Sequence, residues 1–270
     1  MKQHAKIETS TSSGPVIYKD YQDNFVIWPG TESKLKEFVN QPYGGKRHKL
    51  KPTKSSNSED ALTWSCLEIL NHFAAEPRKN ALSNLWALAY GGLQAPESFL
   101  SGEVIIGKKY GVKGEETEVD ASIEGDGILV FIEAKLYSPM SIAEPEKGKP
   151  HDQIARKLRV GIKEAQHSGR SFYFIILDIA PKEKLLEIKS GASLKEANQK
   201  LGSGFARKWQ TAYWFRRYKG SKKSVTPLRK VLADIPDIDA KAVANNMGWL
   251  TWSDVFKTVL RGLMQSHFVR

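Results

Sequence analysis

Apolar positions along this chain change period several times, and each change marks an element. From Ser58, "SEDALTWSCLEILNHF" spaces Leu62, Cys66, Ile69 and Phe73 three or four residues apart, which predicts a helix with one apolar stripe. Ser58 stands as its N-cap, with Glu59 and Asp60 in the first turn. A second helix is expected around residues 79–90. The pattern then shortens to that of strands: "EVIIG" (103–107), the alternating "TEVDASIE" (117–124), and "ILVFIEAKL" (128–136), apolar on both faces until it meets Glu133-Ala134-Lys135. Residues 150–167 return to helical spacing, with Ile154, Leu158, Gly161, Ile162 and Ala165 on one side. "SFYFIILDIA" (171–180) reads as an apolar strand inside a sheet, and the rest as mainly helical, most clearly over 203–223 and 251–268.

This order divides the chain into three parts. Residues 1–57 form a polar tail and a basic linker region, since "QPYGGKRHKLKPTKSSNS" (41–58) is rich in Gly, Pro, Ser and Lys. Residues 58–180 form an α/β core of helix, three strands, helix and strand. Residues 181–270 form a helical extension. No segment repeats.

Composition narrows the function classes. A chain of 270 residues, 40% hydrophobic and carrying seven tryptophans, can bury a substantial core. Its single cysteine, Cys66, excludes an internal disulfide, a four-cysteine zinc site and a four-cysteine iron–sulfur cluster. A net charge of +11 points to a polyanionic partner, nucleic acid before an anionic membrane surface. No apolar run approaches the roughly 18 residues of a membrane span, and the N-terminus lacks the apolar centre of a signal peptide. A cytoplasmic protein without a membrane partner is expected.

The charged end of the third strand needs a reason, because an unpaired buried charge costs several kcal/mol or more. With Gly125-Asp126 as the turn, Asp120 falls opposite Phe131 and diagonal to Glu133, roughly 7–8 Å away by Cβ. Glu133 and Lys135 share that face. Two carboxylates at this spacing repel unless a hard cation such as Mg2+ lies between them. A lysine beside that cation suits phosphodiester hydrolysis.

Asp120, twelve residues, then Glu133-Ala134-Lys135 resembles the signature of the PD-(D/E)XK nuclease superfamily. The helix–three strands–helix–strand order is similar to that superfamily's common core over about residues 58–180; Val119 stands where the family usually carries proline. The resemblance implies a restriction endonuclease-like fold, a mixed central sheet flanked by helices. It implies Mg2+, or Mn2+ in its place, bound by Asp120 and Glu133, with Lys135 helping to activate the attacking water.

Members of the family often add a glutamate from the first core helix. Glu59 lies about 50° from the centre of the apolar stripe and Glu68 on the opposite side, so Glu59 is the third metal ligand expected; the alternative is service to the helix dipole alone. Asp60 points away from the stripe, as a dipole partner would. The family also carries a polar residue, often Gln, early in the helix after the tripeptide. Gln153 takes that place, with a surface glutamine as the alternative; neighbouring His151 stays unassigned. "FARKWQTAYWFRRYKGSKK" (205–223) reads as a helix with an aromatic inner face, where Trp209 and Tyr213 are four apart. On its basic edge Arg207, Arg216, Arg217 and Lys219 are expected to meet DNA phosphates.

The expectation is therefore a Mg2+-dependent endonuclease acting on DNA, of restriction or defence type. Duplex cleavage by such folds often uses a dimer, so a homodimer is expected with it. Two alternatives stay open. One is a repair, junction-cleaving, exonucleolytic or RNA-acting nuclease on the same fold. The other is a non-catalytic DNA-binding protein whose acids and lysine form a buried ion-pair network.

Overall fold

One strand, Ile128–Ala134, is buried at all seven positions. With both faces covered, it belongs inside a sheet that has helices above and below. The structure, a computed structural model, describes residues 7–9, 14–43, 47–112, 115–136, 138, 140, 142–143, 151–179, 210–221 and 224–268. Its principal strands are β1 (Glu103–Ile106), β2 (Lys109–Val112), β3 (Glu115–Glu118), β4 (Ala121–Gly125), β5 (Ile128–Ala134), β6 (Ser171–Asp178) and β7 (Met247–Thr251). Five of them make one mixed sheet in the order β7-β6-β5-β4-β1. β5, β6 and β7 run parallel, while β4 is antiparallel to both β5 and β1.

The principal helices are α1 (Glu32–Asn40), α2 (Glu59–Leu67), α3 (Ala75–Ala89), α4 (Gln153–His167), α5 (Gln210–Lys219), α6 (Thr226–Val231), α7 (Ala240–Asn245) and α8 (Trp252–Phe268). Alternation along β5 divides the core. Val130 and Ile132 join a cluster with residues of α1, α2, α3 and α8 on one face. Leu129 and Phe131 join residues of α4 to α7 on the other. Gly161 permits the close approach of α4 to this second face, because a Cβ there would overlap the Phe172 ring. The α4 stripe is as its spacing predicts: Ile154, Leu158, Gly161, Ile162 and Ala165 are all buried.

Four expectations change. Residues 117–124 are not one strand: the chain bends at Val119-Asp120, so β3 pairs with β2 in a separate hairpin while β4 enters the main sheet. The register of β4 on β5 differs as well. Gly125 pairs with Ile128 and Ser122 with Phe131, which moves Asp120 from Phe131 to the level of Glu133. Of the two glycines in Gly-Asp-Gly, only Gly127 has a left-handed backbone, at φ 73°. It closes the turn, and a Cβ on Gly125 would overlap the Ser98 carbonyl.

The first core helix starts where expected, with the Ser58 side chain accepting from the Ala61 amide at 3.2 Å. Its buried face is Ala61, Thr63, Trp64, Cys66 and Leu67 rather than a stripe through Leu62, and a 3-10 turn, Glu68–His72, follows it. Finally, the C-terminal region contributes the edge strand β7 as well as helices. Among the described residues no helix is long and apolar enough to cross a membrane.

Candidate active site

The bend after β3 delivers Asp120 to the end of β5. The Gly107 amide donates to the Asp120 carbonyl at 3.0 Å, and the Asp120 carboxylate accepts the Ala134 amide at 2.8 Å. Its side chain therefore closes the ladder where β4 has not yet begun, beside Glu133. Glu133 is fully buried. Its Oε1 lies 2.9 Å from Lys135 Nζ and its Oε2 is in ion-pair contact with Lys157 Nζ from α4. Among the described residues neither oxygen has an aligned hydrogen-bond donor. Burial first, and the Asp120 charge second, raise Glu133 to about 7 against the pull of both lysines. Asp120 shifts the other way: burial opposes its ionisation, but Lys157, Lys135, its interaction with the Glu133 carboxyl and the Ala134 amide outweigh it and hold its pKa below the ordinary range.

Lys135 sits just past the strand end with its backbone fixed on both sides. Its amide donates to the Leu177 carbonyl at 2.7 Å, and its carbonyl accepts the Trp252 indole at 3.0 Å. Burial works against its charge, but Glu133, Asp120 and Glu59 together raise its pKa, so the ammonium is locked on. Glu59, in the first turn of α2, reaches Lys135 Nζ at 3.2 Å. Its other oxygen accepts the Leu136 amide at 2.7 Å and the Ser138 hydroxyl at 2.8 Å.

These groups surround a cavity of about 590 Å3, lined among others by Glu59, Asp120, Lys135 and Gln153, with Glu133 behind the lining. The structure thus brings together all five residues expected of the catalytic set. It adds four that sequence reasoning missed: Lys49, Glu118, Arg156 and Lys157. It also reverses the reading of Asp60, which lines the cavity. Lys49 is 2% exposed, lies 3.4 Å from Asp60 and is in ion-pair contact with Glu118. Lys157 follows Gln153 by one turn, so helical spacing carried a signal for it. Lys49 lies in a stretch with no periodicity, and nothing local marked it. A stripe centred on Leu62 points Asp60 outward, but Leu62 is only half-buried and the helix buries a different face. Glu68 lies away from the cavity, yet it is buried, held by Lys34 at 2.7 Å.

Glu59, Asp60, Glu118, Asp120 and Glu133 face Lys49, Lys135, Lys157 and Arg156, which leaves this cluster one negative charge when all are ionised. All the acid donors are hard oxygens, and among the described residues the two Glu133 oxygens meet lysine ammoniums but have no aligned hydrogen-bond donor. The Asp120–Glu133 pair therefore fits a hard divalent cation. Glu59 does not complete a triad, since it is engaged by Lys135, Leu136 and Ser138; among the described residues no three His, Cys, Asp or Glu side chains form a metal-binding group.

The basic edge of α5 is less open than expected. Arg207 lies outside the described residues. Lys219 donates to the carbonyls of Met247 at 2.6 Å and Asn245 at 3.2 Å, and burial, then Arg216, pull its pKa down to about 8. That ammonium is committed to the backbone at the start of β7. Arg217 lies 5.7 Å over the Trp214 ring, and Arg216 is half-buried. None of these three lines the cavity. The link to it is indirect: the Tyr218 hydroxyl donates to Asp152, the N-cap of α4, next to Gln153.

No family model, curated protein or solved structure matches the chain.

Proposed function

We propose that this chain is a Mg2+-dependent endonuclease that hydrolyses DNA phosphodiester bonds, of restriction or defence type, on the PD-(D/E)XK pattern its residues resemble. The observation that carries the reading is the meeting of Asp120, Glu133 and Lys135 at one cavity in a protein of net charge +11. A module that only binds a polyanion gains nothing from opposed carboxylates at a cavity, because they repel phosphate. A hydrolase that recruits a divalent cation does gain from them.

When bound, Mg2+ supplies charge stabilisation at the phosphate and a more acidic water. Asp120 and Glu133 are the side chains that would hold it. Lys135, charged between Glu133 and Glu59, orients the attacking water and balances charge on the phosphate. Gln153 and Arg156, at the start of α4, supply a neutral donor and a cation for the nucleic acid backbone. In the step itself the water oxygen bonds to phosphorus, one P–O ester bond breaks, and the water proton goes to the departing oxygen. Cutting both strands calls for two such sites, hence a homodimer.

The test is incubation of the full chain with supercoiled plasmid, linear DNA and RNA, with Mg2+ or with EDTA. Nicking or linearisation of the plasmid in Mg2+ alone supports the reading. Loss confined to ends makes the protein an exonuclease, and preference for RNA changes the substrate. Binding without cutting in both Mg2+ and Mn2+ rejects the enzyme.

A further inference from the structure

Lys157 has two features that do not belong together in a purely structural lysine. It is 2% exposed, with its ammonium donating to the Glu118 carbonyl at 2.5 Å and in contact with Glu133 Oε2. Yet it also lines the cavity, between exposed Arg156 and the end of β3. Its charge sits on Glu133 Oε2, an oxygen that a hard cation shared with Asp120 would compete for. An ammonium and a divalent ion cannot both hold that oxygen, since like charges at contact distance repel strongly in a buried setting. A long flexible stem lets the ammonium leave while the helix stays in place.

We propose that Lys157 is a cation placeholder: a divalent ion displaces it from Glu133, and the freed ammonium turns into the cavity, where it contacts a substrate phosphate. The inference rests on the nuclease reading and deepens it by adding a substrate contact that exists only in the metal-loaded state. Before loading, the lysine neutralises the buried carboxylate. After loading, the same charge is available to the nucleic acid, so metal and substrate binding reinforce each other.

Three measurements on the full chain test it. In calorimetric titration with Mn2+, Lys157→Met should bind the ion several-fold more tightly than wild type, because the competitor is gone; Lys157→Gln serves the same comparison if the apolar variant does not fold. In wild type, limited acetylation read by peptide mass spectrometry should label Lys157 several-fold faster with Mn2+ than with EDTA. Lys49, equally buried, should not change. In a Lys135→Ala background that leaves DNA intact, adding Lys157→Met should lower the salt slope of DNA binding by about 0.9 in Mn2+ and leave it unchanged in EDTA. Weaker or equal Mn2+ affinity in the variants, or labelling indifferent to Mn2+, overturns the placeholder. An equal slope change in both media overturns the phosphate contact. If wild type itself takes up no Mn2+ and cuts nothing, the nuclease reading has failed instead.

Discussion

The Trp252 indole ties the C-terminal helix to the backbone of Lys135, and replacing it by phenylalanine isolates that tie. Its Nε1 donates to the Lys135 carbonyl at 3.0 Å across 117 residues of sequence, in a buried setting. Trp252→Phe removes the donor and leaves a buried carbonyl short of its partner, which costs about 1–3 kcal/mol. The smaller ring adds about 1 kcal/mol of lost packing. A total of about 2–4 kcal/mol is compatible with folding for a domain whose stability is typically about 5–15 kcal/mol. Trp86→Phe is the control, because Trp86 is buried but among the described residues its Nε1 has no hydrogen-bond partner; it should show the packing part alone. Urea unfolding followed by circular dichroism gives both values, and their difference isolates the hydrogen bond. Loss of the tie also loosens the segment that carries the ammonium, and a displacement of about 1 Å costs up to roughly 100-fold in turnover. Plasmid cleavage by Trp252→Phe should therefore fall about 10- to 100-fold at unchanged KM. Equal destabilisation in the two variants, or undiminished cleavage by Trp252→Phe, would refute the positioning role.

Three further outcomes follow from the same geometry. Asp120→Ala and Lys135→Ala should each reduce plasmid cleavage by at least about 100-fold, with Mn2+ binding lost in the first and kept in the second by calorimetry; full activity in either removes that residue from the catalytic set. Glu59→Gln should lower turnover because it unfixes Lys135, whereas Glu68→Gln should lower the melting temperature through its buried pair with Lys34 and leave turnover alone; the reverse pattern contradicts both assignments. Glu124, drawn down to about 2 from 4.5 against its burial by hydrogen bonds from Lys108, Tyr110 and Arg170, stabilises the fold fully above pH 4.5 and loses that effect as pH falls through 2. Wild type should exceed Glu124→Gln by about 1–3 kcal/mol at pH 6 and converge with it near pH 2 in urea melts, and a gap that does not depend on pH would exclude the linkage.

What could be read in the chain beforehand was set by local rules. The Ser58 cap, the α4 stripe and the run of apolar residues in β5 are decided within a few positions of each residue, and all three stand in the structure. The placement of Asp120 near Glu133 was also legible, because the expected and observed registers differ by two residues, and a shift of two keeps each side chain on its face. The register itself was not. Gly125 and Gly127 are equivalent in sequence, and what tells them apart is tertiary: Gly125 packs against the carbonyl of Ser98, brought there by a different part of the chain, while Gly127 takes the left-handed turn. The bend at Val119-Asp120 was hidden for a similar reason: alternation continues through it, and only the pairing of β3 with β2 shows that the strand has ended.

The counter-ions were the least legible part, and charge balance explains why. A carboxylate as buried as Glu133 needs a cation whenever it is ionised. Sequence proximity supplies one, Lys135, two residues away. The rest of the cluster is neutralised from elsewhere, by Lys157 on a helix across the second face of the sheet and by Lys49 from the basic stretch before the core. Such partners are selected by distance in the fold, with no constraint on their spacing in the chain. A linker-like stretch rich in lysine and a surface-like helix therefore both carry charges that the site depends on. The same logic places Asp60 and Glu118 beside the cavity: with Lys49 they form a second, partly neutralised group next to Asp120, in which one lysine faces two acids. On the nuclease reading, a divalent cation that enters must compete with lysines already in place, and the strength of that competition would set the ion concentration at which cleavage begins.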